Sequence, residues 1–199
     1  VVNGTTGESP TTDEHEKRKI LECVVETVGG RARVVAGAGS NDTAHSVLLA
    51  KDAAAAGCDG VLVVTPYYNK PPQAGVIAHM HAVADATDLP VMLYDIPGRA
   101  GIQITTESLL RLAEHPRIVA NKDAKGDPWA ASQVMNRCDL AYYSGDDGLN
   151  LALLAVGAVG VVSVTGHIVA DRHARMVAAV AAGDLHTARE INRTLIPVT

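Results

Sequence analysis

Short apolar runs rich in β-branched residues recur along the chain, and longer amphipathic stretches separate them. The runs are almost continuously apolar instead of alternating, which is typical of parallel strands that are buried on both faces. The predicted strands begin near residues 1, 34, 60, 91, 118, 141 and 160. Each interval has room for one helix, so the pattern predicts right-handed βαβ units.

The amphipathic stretches carry the start and stop signals of helices. The first is predicted over residues 13–28 and begins at the capping sequence Thr11-Thr12-Asp13. The second is predicted over residues 41–56 and ends at Gly57. Further helices are predicted over residues 72–87, 105–114, 128–136, 148–156, 168–182 and 185–195.

This alternation suits either a doubly wound sheet or a (β/α)8 TIM barrel. A complete barrel usually needs about 250 residues, and this chain has 199. We therefore expect one partial TIM-barrel catalytic domain over residues 1–199, with strands 2–8 and the helices that follow them. The chain begins with Val1-Val2-Asn3-Gly4 and no preceding element. We interpret it as a piece of a longer protein that lacks the first βα unit.

Composition excludes several classes of partner. The formal charge of −5 argues against nucleic acid, because neutralising phosphates requires a basic face. The longest apolar stretch, residues 151–164, is too short to span a bilayer, so we expect no membrane contact. Cys23, Cys58 and Cys138 fit no disulfide or zinc pattern. We interpret them as small buried residues in a reducing compartment, the cytoplasm, and expect no metal.

The chemistry of a parallel barrel gathers at the carboxyl ends of its strands. Lys122 ends one apolar run, where desolvation lowers the pKa of an amine and yields the neutral form that attacks carbonyl groups. Tyr94 ends the preceding run, and its phenol can relay protons. From spacing alone, a lysine that only reaches solvent and a tyrosine that only packs stay open as alternatives.

Two further groups could hold carboxylates. Thr5 and Thr6 stand in a glycine-bracketed turn whose hydroxyl and N–H groups can bind a small carboxylate. Arg99 can clamp a second carboxylate with two hydrogen bonds. A plain turn and a surface salt bridge are the alternatives at these positions. We interpret Asp146 and Asp147 as residues that shape a loop.

The motifs together resemble the dihydrodipicolinate synthase family, also called 4-hydroxy-tetrahydrodipicolinate synthase, in order and over essentially the whole chain. They are Gly4-Thr5-Thr6-Gly7-Glu8, Tyr67-Tyr68-Asn69, Tyr94-Asp95-Ile96-Pro97-Gly98-Arg99, Lys122-Asp123-Ala124 and Ser144-Gly145-Asp146-Asp147. The resemblance implies a Schiff-base lyase on a (β/α)8 barrel, whose usual C-terminal helical segment is absent here. Its substrates would be pyruvate and L-aspartate 4-semialdehyde, in diaminopimelate and lysine biosynthesis. It would use no cofactor, only a covalent imine on Lys122.

The resemblance also implies a role for each matched residue. Lys122 would form the imine with pyruvate, and Tyr94, Thr5 and Tyr68 would relay protons, with Tyr68 donated by an adjoining subunit of a homotetramer, a dimer of dimers. Thr6 would hold the carboxylate of pyruvate and Arg99 that of the aldehyde substrate. Backbone groups of two further residues, Gly145 and Val162, would line the site. A lysine-effector site would comprise Ser9, His15, Asn41, His45 and Tyr67.

Two departures from the family pattern carry consequences. Ala120-Asn121 precedes the lysine where members usually show glycine followed by isoleucine or valine, and a buried amide costs stability unless it is hydrogen-bonded. His45 stands where lysine-sensitive members carry a glutamate, so we expect weak or no inhibition by lysine. One alternative is another pyruvate-dependent lyase, such as an N-acetylneuraminate or sugar-acid aldolase, which Arg99 and Tyr68 argue against. The other is a non-catalytic fragment or homologue.

Overall fold

The computed structural model describes residues 1–199, which form two compact units, Val1–Val119 and Ala120–Thr199. Both units contain parallel strands that alternate with helices, so the predicted α/β class is confirmed. None of the helices combines the length and the apolar content that crossing a bilayer requires. The eight-stranded barrel and the single domain over residues 1–199 stay predictions.

The first unit contains the parallel strands β1 (Val35–Gly37), β2 (Gly60–Val64) and β3 (Val91–Asp95). β2 pairs with both of the others, and its side chains are almost entirely buried, as the continuous apolar run predicted. The helices of this unit are α1 (Glu14–Val28), α2 (Thr43–Ala55), α3 (Gln73–Asp85), α4 (Pro97–Ala100) and α5 (Thr106–Ala113).

The strand predicted at residues 1–2 is wrong in its extent, because only Val2 forms an isolated parallel bridge, with Ala36. Pairing stops there since Asn3 adopts a left-handed backbone conformation, with φ of 55°, and turns the chain away. The turn lies directly on Gly37, where a Cβ would come within 2.2 Å of the carbonyl oxygen of Asn3. Only glycine permits this approach, which sets the path of the segment that follows.

Helix α1 begins as its sequence predicts. Asp13 accepts a hydrogen bond from the backbone N–H of Glu16, whose carboxylate accepts one from the N–H of Asp13, which completes a capping box. Gly29 ends the helix in the left-handed conformation. The interpretation of all three cysteines as buried residues holds only for Cys58, because Cys23 lies on the exposed side of α1 and Cys138 is half-buried.

Strand β4 (Ile118–Asp123) begins at the end of the first unit and continues into the second. The second unit also contains β5 (Ala141–Ser144) and β6 (Gly160–Val161), and these three strands are parallel. Its helices are α6 (Pro128–Met135), α7 (Asn150–Ala155), α8 (Gly166–Ala181) and α9 (Leu185–Leu195). β6 is shorter than the apolar run from residue 159 to 164 predicted, because the residues after Val161 enter a loop held by side-chain hydrogen bonds.

Asn121 lies in β4 opposite Tyr142 of β5, and it is completely buried. Neither the nitrogen nor the oxygen of its side-chain amide has a hydrogen-bond partner. Neighbouring residues of a strand face opposite sides of the sheet, so this amide points away from the side occupied by Lys122. The cost of burial that the sequence suggested is therefore present in the structure.

Replacement of Asn121 by leucine, a residue of similar shape, should stabilise the protein. The substitution removes two buried polar atoms without partners, and we expect the free energy of unfolding to rise by about 1–3 kcal/mol. Urea denaturation that shifts the midpoint without changing the slope would measure this gain. Asn121→Asp is the matched control, because it buries a charge in the same space and should destabilise the fold. A leucine variant less stable than the wild type would contradict the interpretation.

Candidate active site

A cavity of about 1550 Å³ opens in the first unit beside the carboxyl ends of β2 and β3. Four of the residues that the sequence assigned to catalysis or substrate binding line it, namely Thr5, Tyr68, Tyr94 and Arg99. They come from three separate loops or strand ends, and parallel pairing brings these ends to one edge. Within this unit, the strand ends and loops therefore place these four residues around one cavity.

Tyr94 is the most buried member of this group, with 6% of its surface exposed. Burial raises the pKa of its phenol, and the positive charge of Arg99 opposes part of that rise. The phenol is therefore protonated at neutral pH and can donate a proton. Thr65 fixes the backbone here, because both its N–H and its hydroxyl donate to the carbonyl oxygen of Tyr94, at 3.0 and 3.1 Å.

Tyr68 stands on the loop that follows β2, and 86% of its surface is exposed. Its backbone is left-handed, with φ of 66°, which is unusual for an aromatic residue. The loop is nevertheless tied down, since the N–H of Tyr68 donates to the carbonyl of Ala100 at 3.3 Å. The side-chain amide of Asn69 donates to the carbonyl of Asn41 at 2.9 Å.

Arg99 and Lys70 are two of the three lysine and arginine residues that line the same cavity. Arg99 lies on the short helix α4, which ends at Gly101 in the left-handed conformation. Lys70 crosses that glycine so closely that a Cβ there would come within 2.8 Å of its Cε atom. Sequence reasoning missed Lys70, although its place two residues after Tyr68 in the same loop was a usable signal. Positive charges in the wall of a cavity attract an anionic ligand.

The threonine pair divides between two environments. Thr5 and Thr6 form one turn of 310-helix with Gly7, whose N–H donates to the carbonyl of Gly4 at 3.0 Å. Thr5 lines the cavity, whereas Thr6 is exposed and does not contribute to the lining. The turn therefore presents one of the two hydroxyl-bearing residues to the cavity.

The positions matched to a lysine-effector site line the same cavity: Ser9, His15, Asn41, His45 and Tyr67. The Nε2 atom of His45 lies 3.6 Å from the Oε1 atom of Glu14, a distance at which the two attract only when the imidazole is protonated. Glu14 is a lining residue that sequence reasoning missed. The carboxylate of Glu14 therefore lies beside His45 in the lining of the cavity.

The second unit holds the remaining predicted residues. Lys122 is partly buried in β4, and it packs against Gly145, the residue that follows β5. A Cβ at position 145 would lie 2.7 Å from the Cε atom of Lys122 and 2.8 Å from its Cγ atom. The N–H of Gly145 donates to the carbonyl of Asp123 at 2.7 Å, which fixes this approach. Glycine is thus required for the side chain of Lys122 to adopt its position.

Val162 follows β6, and its N–H donates to the carbonyl of Ser144 at 2.7 Å. Lys122, Gly145 and Val162 consequently stand at the carboxyl ends of three strands that pair in sequence order within this unit. An amine half-shielded from water beside backbone groups of two loops can form an imine with a small carbonyl compound.

The sequence profile of the dihydrodipicolinate synthetase family matches residues 1–199. The 4-hydroxy-tetrahydrodipicolinate synthase of Kineococcus radiotolerans is 61% identical over 197 residues, which cover 99% of this chain and 64% of that protein. The crystal structure of dihydrodipicolinate synthase from Aquifex aeolicus matches with a TM-score of 0.97 at 38% identity, over 99% of this chain and 68% of that one.

A crystal structure of the enzyme from Cyanidioschyzon merolae with lysine bound matches with a TM-score of 0.94 at 45% identity, over 98% of this chain and 67% of that one. The chain thus spans 64% of the length of the Kineococcus relative, and the similarity extends over nearly all of its own residues. A match of the family profile from the first residue to the last is decisive: the chain belongs to the dihydrodipicolinate synthetase family.

Proposed function

We propose that this chain carries the catalytic residues of a 4-hydroxy-tetrahydrodipicolinate synthase on a (β/α)8 barrel. The observation that carries the proposal is the gathering of Thr5, Tyr94 and Arg99 around one cavity. Membership of the family supports it. The names of the curated relatives favour the synthase over an N-acetylneuraminate or sugar-acid aldolase.

The reaction begins at Lys122. Its neutral amine attacks the keto carbon of pyruvate, and loss of water from the carbinolamine gives an imine. Removal of a proton from the methyl group of that imine gives an enamine, which attacks the aldehyde carbon of L-aspartate 4-semialdehyde. The amino group of the second substrate then displaces Lys122 from the imine carbon, which closes the ring and restores the free amine. The covalent imine takes the place of a cofactor.

Proton transfer falls to Tyr94, Thr5 and Tyr68. The raised pKa of Tyr94 suits a group that starts as a proton donor, because its phenol can protonate the departing hydroxyl of the carbinolamine. Thr5 provides a hydroxyl that both accepts and donates, and so can pass the proton onward. Tyr68 completes the relay from an adjoining subunit. Its exposed ring on a tethered loop supports that assignment.

Carboxylate recognition uses different groups for the two substrates. Thr6 and backbone groups of Gly145 and Val162 hold the carboxylate end of pyruvate. Arg99 holds the carboxylate of the second substrate with two hydrogen bonds. A homotetramer, a dimer of dimers, is the proposed assembly. A cytoplasmic location stays a prediction.

Reduction with borohydride in the presence of pyruvate should attach the substrate irreversibly to Lys122. The enzyme expressed from its complete gene is the sample, and peptide mass spectrometry locates the adduct. Gly145→Ala should reduce adduct formation strongly, because the new methyl group collides with the Cγ and Cε atoms of the lysine. Gly98→Ala is the matched control, since nothing lies within 4 Å of a Cβ there. An adduct on Lys51, Lys70 or Lys125 instead would overturn the assignment.

Arg99→Ala should impair use of L-aspartate 4-semialdehyde far more than imine formation. Loss of a bidentate contact with the carboxylate should raise the KM for this substrate by about 10- to 100-fold. The substitution also removes the charge that opposes the raised pKa of Tyr94, so that pKa should rise further. Steady-state kinetics and the yield of trapped pyruvate adduct separate the two steps. Equal losses in both steps would show that Arg99 has a structural role.

Lysine should inhibit the enzyme weakly or not at all. A glutamate at position 45 would pair with the ammonium group of lysine, whereas a histidine offers a weak acceptor when neutral and repels the ligand when protonated. Loss of one charge-assisted hydrogen bond costs roughly 1.5–3 kcal/mol, or about ten- to a hundredfold in affinity. Inhibition titrations of the wild type and of His45→Glu test this. Strong inhibition of the wild type, or no gain in the variant, would contradict the explanation.

A further inference from the structure

A buried polar network lies behind the two loops that follow β5 and β6. At its centre is His173 of α8, which is 3% exposed. Its Nε2 atom lies 2.9 Å from the hydroxyl of Thr165 and 3.2 Å from that of Ser163. Its Nδ1 atom lies 3.4 Å from the side-chain nitrogen of Asn150. The imidazole therefore touches both loops at once.

Asp147 anchors the same network from the loop after β5. One carboxylate oxygen accepts hydrogen bonds from the backbone N–H groups of Val164 and Thr165, both at 2.9 Å, and the other accepts from Asn150 at 2.9 Å. Burial raises the pKa of Asp147, but these hydrogen bonds and one from Ser163 outweigh burial and hold the pKa below its usual value. The carboxylate is thus a charged acceptor that draws the second loop toward the first.

The hydrogen bonds define the tautomer of the imidazole. The amide nitrogen of Asn150 must donate to the carboxylate of Asp147, since a flipped amide would oppose two oxygens. That nitrogen therefore also faces Nδ1 of His173 as a donor, which makes Nδ1 the acceptor. A ring proton must therefore stand on Nε2, from where it is donated to the hydroxyls of Thr165 and Ser163.

The start of α8 is shaped by this contact. Residues eight positions apart in a straight helix are separated by about 12 Å. His173 nevertheless reaches Thr165, because Val169 has a non-helical conformation, with φ of −135°, and bends the helix between them. Thr165 occupies the cap position without using its hydroxyl as a cap, and Ser163 accepts from the N–H of Gly166 instead. The hydroxyl of Thr165 thus bonds to the imidazole of His173 instead of capping α8.

Both loops in this network carry residues of the proposed site. Gly145, which packs on Lys122, stands two positions before Asp147. Val162 stands next to Ser163, and its N–H is held by the carbonyl of Ser144. Any relaxation of the network would therefore shift backbone groups beside the reactive amine.

We propose that His173 is a positioning residue that holds the loops of Gly145 and Val162 in the geometry required for imine formation. The inference rests on the proposed function, because it concerns the pyruvate-binding part of that site. His173 does not touch the substrate. It acts through Asp147, Ser163 and Thr165, and its Nε2–H group provides the hydrogen bond that the two hydroxyls share.

His173→Leu, which fills the space without hydrogen bonds, should lower kcat and the rate of imine trapping by about 10- to 100-fold. The ratio kcat/KM for L-aspartate 4-semialdehyde should not change, because it depends only on the steps that follow imine formation. His173→Gln should recover most of the activity, because its amide N–H can donate in place of Nε2–H. His79→Leu is the matched control, since His79 is also buried, at 4%, and bonds only to Thr43. That variant should lose stability but keep kcat.

A second variant and an NMR measurement distinguish a loss of positioning from a folding defect in His173→Leu. Thr165→Val keeps the side-chain shape but cannot accept from Nε2, and it should also lower kcat. Long-range proton–nitrogen NMR of the wild type should place the imidazole proton on Nε2. A folded His173→Leu enzyme with wild-type kcat, or a proton on Nδ1, would overturn the inference. A wild type that forms no imine would instead refute the proposed function.

Discussion

Parallel pairing of the strands is the constraint on which the placement of every candidate residue depends. Within each unit, the loops that follow parallel strands lie at the same edge of the sheet, so residues that are far apart in sequence come close together there. In the first unit this brings Tyr94 and the loop of Tyr68 to one cavity. In the second it aligns the segments that carry Lys122, Gly145 and Val162.

Two glycines, one in each unit, allow close contacts at these strands that fix the positions of candidate residues. At Gly37 the backbone of the amino-terminal segment lies against β1, and at Gly145 the side chain of Lys122 occupies space that any Cβ would fill. Each contact joins a loop to a strand at a distance that other residues forbid. The positions of the segment that carries Thr5 and of Lys122 thus depend on the absence of a side chain at Gly37 and at Gly145.

The sequence predicted the helices and central strands well, because their apolar periods and caps are local. α9 has the predicted bounds of 185–195, and α1 begins at the predicted Asp13 cap. The strand at residues 1–2 was overestimated, since the left-handed turn at Asn3 has no apolar signature. The roles of Lys70 and His173 were missed for a different reason. Lys70 is placed by its contact with Gly101, and His173 reaches Thr165 through the bend at Val169. The periodicity of the sequence encodes neither contact.

In the proposed homotetramer, the loop of Tyr68 would make proton transfer depend on the concentration of the protein. A left-handed backbone at a residue with a Cβ costs about 1–3 kcal/mol, and the exposed ring gains nothing within its own chain that would offset this cost. In the proposed assembly the neighbouring subunit provides that compensation and receives the phenol in return. Dilution below the dissociation constant of the assembly would then remove Tyr68 from the neighbouring site. Turnover per subunit would fall with dilution, although no side chain is changed.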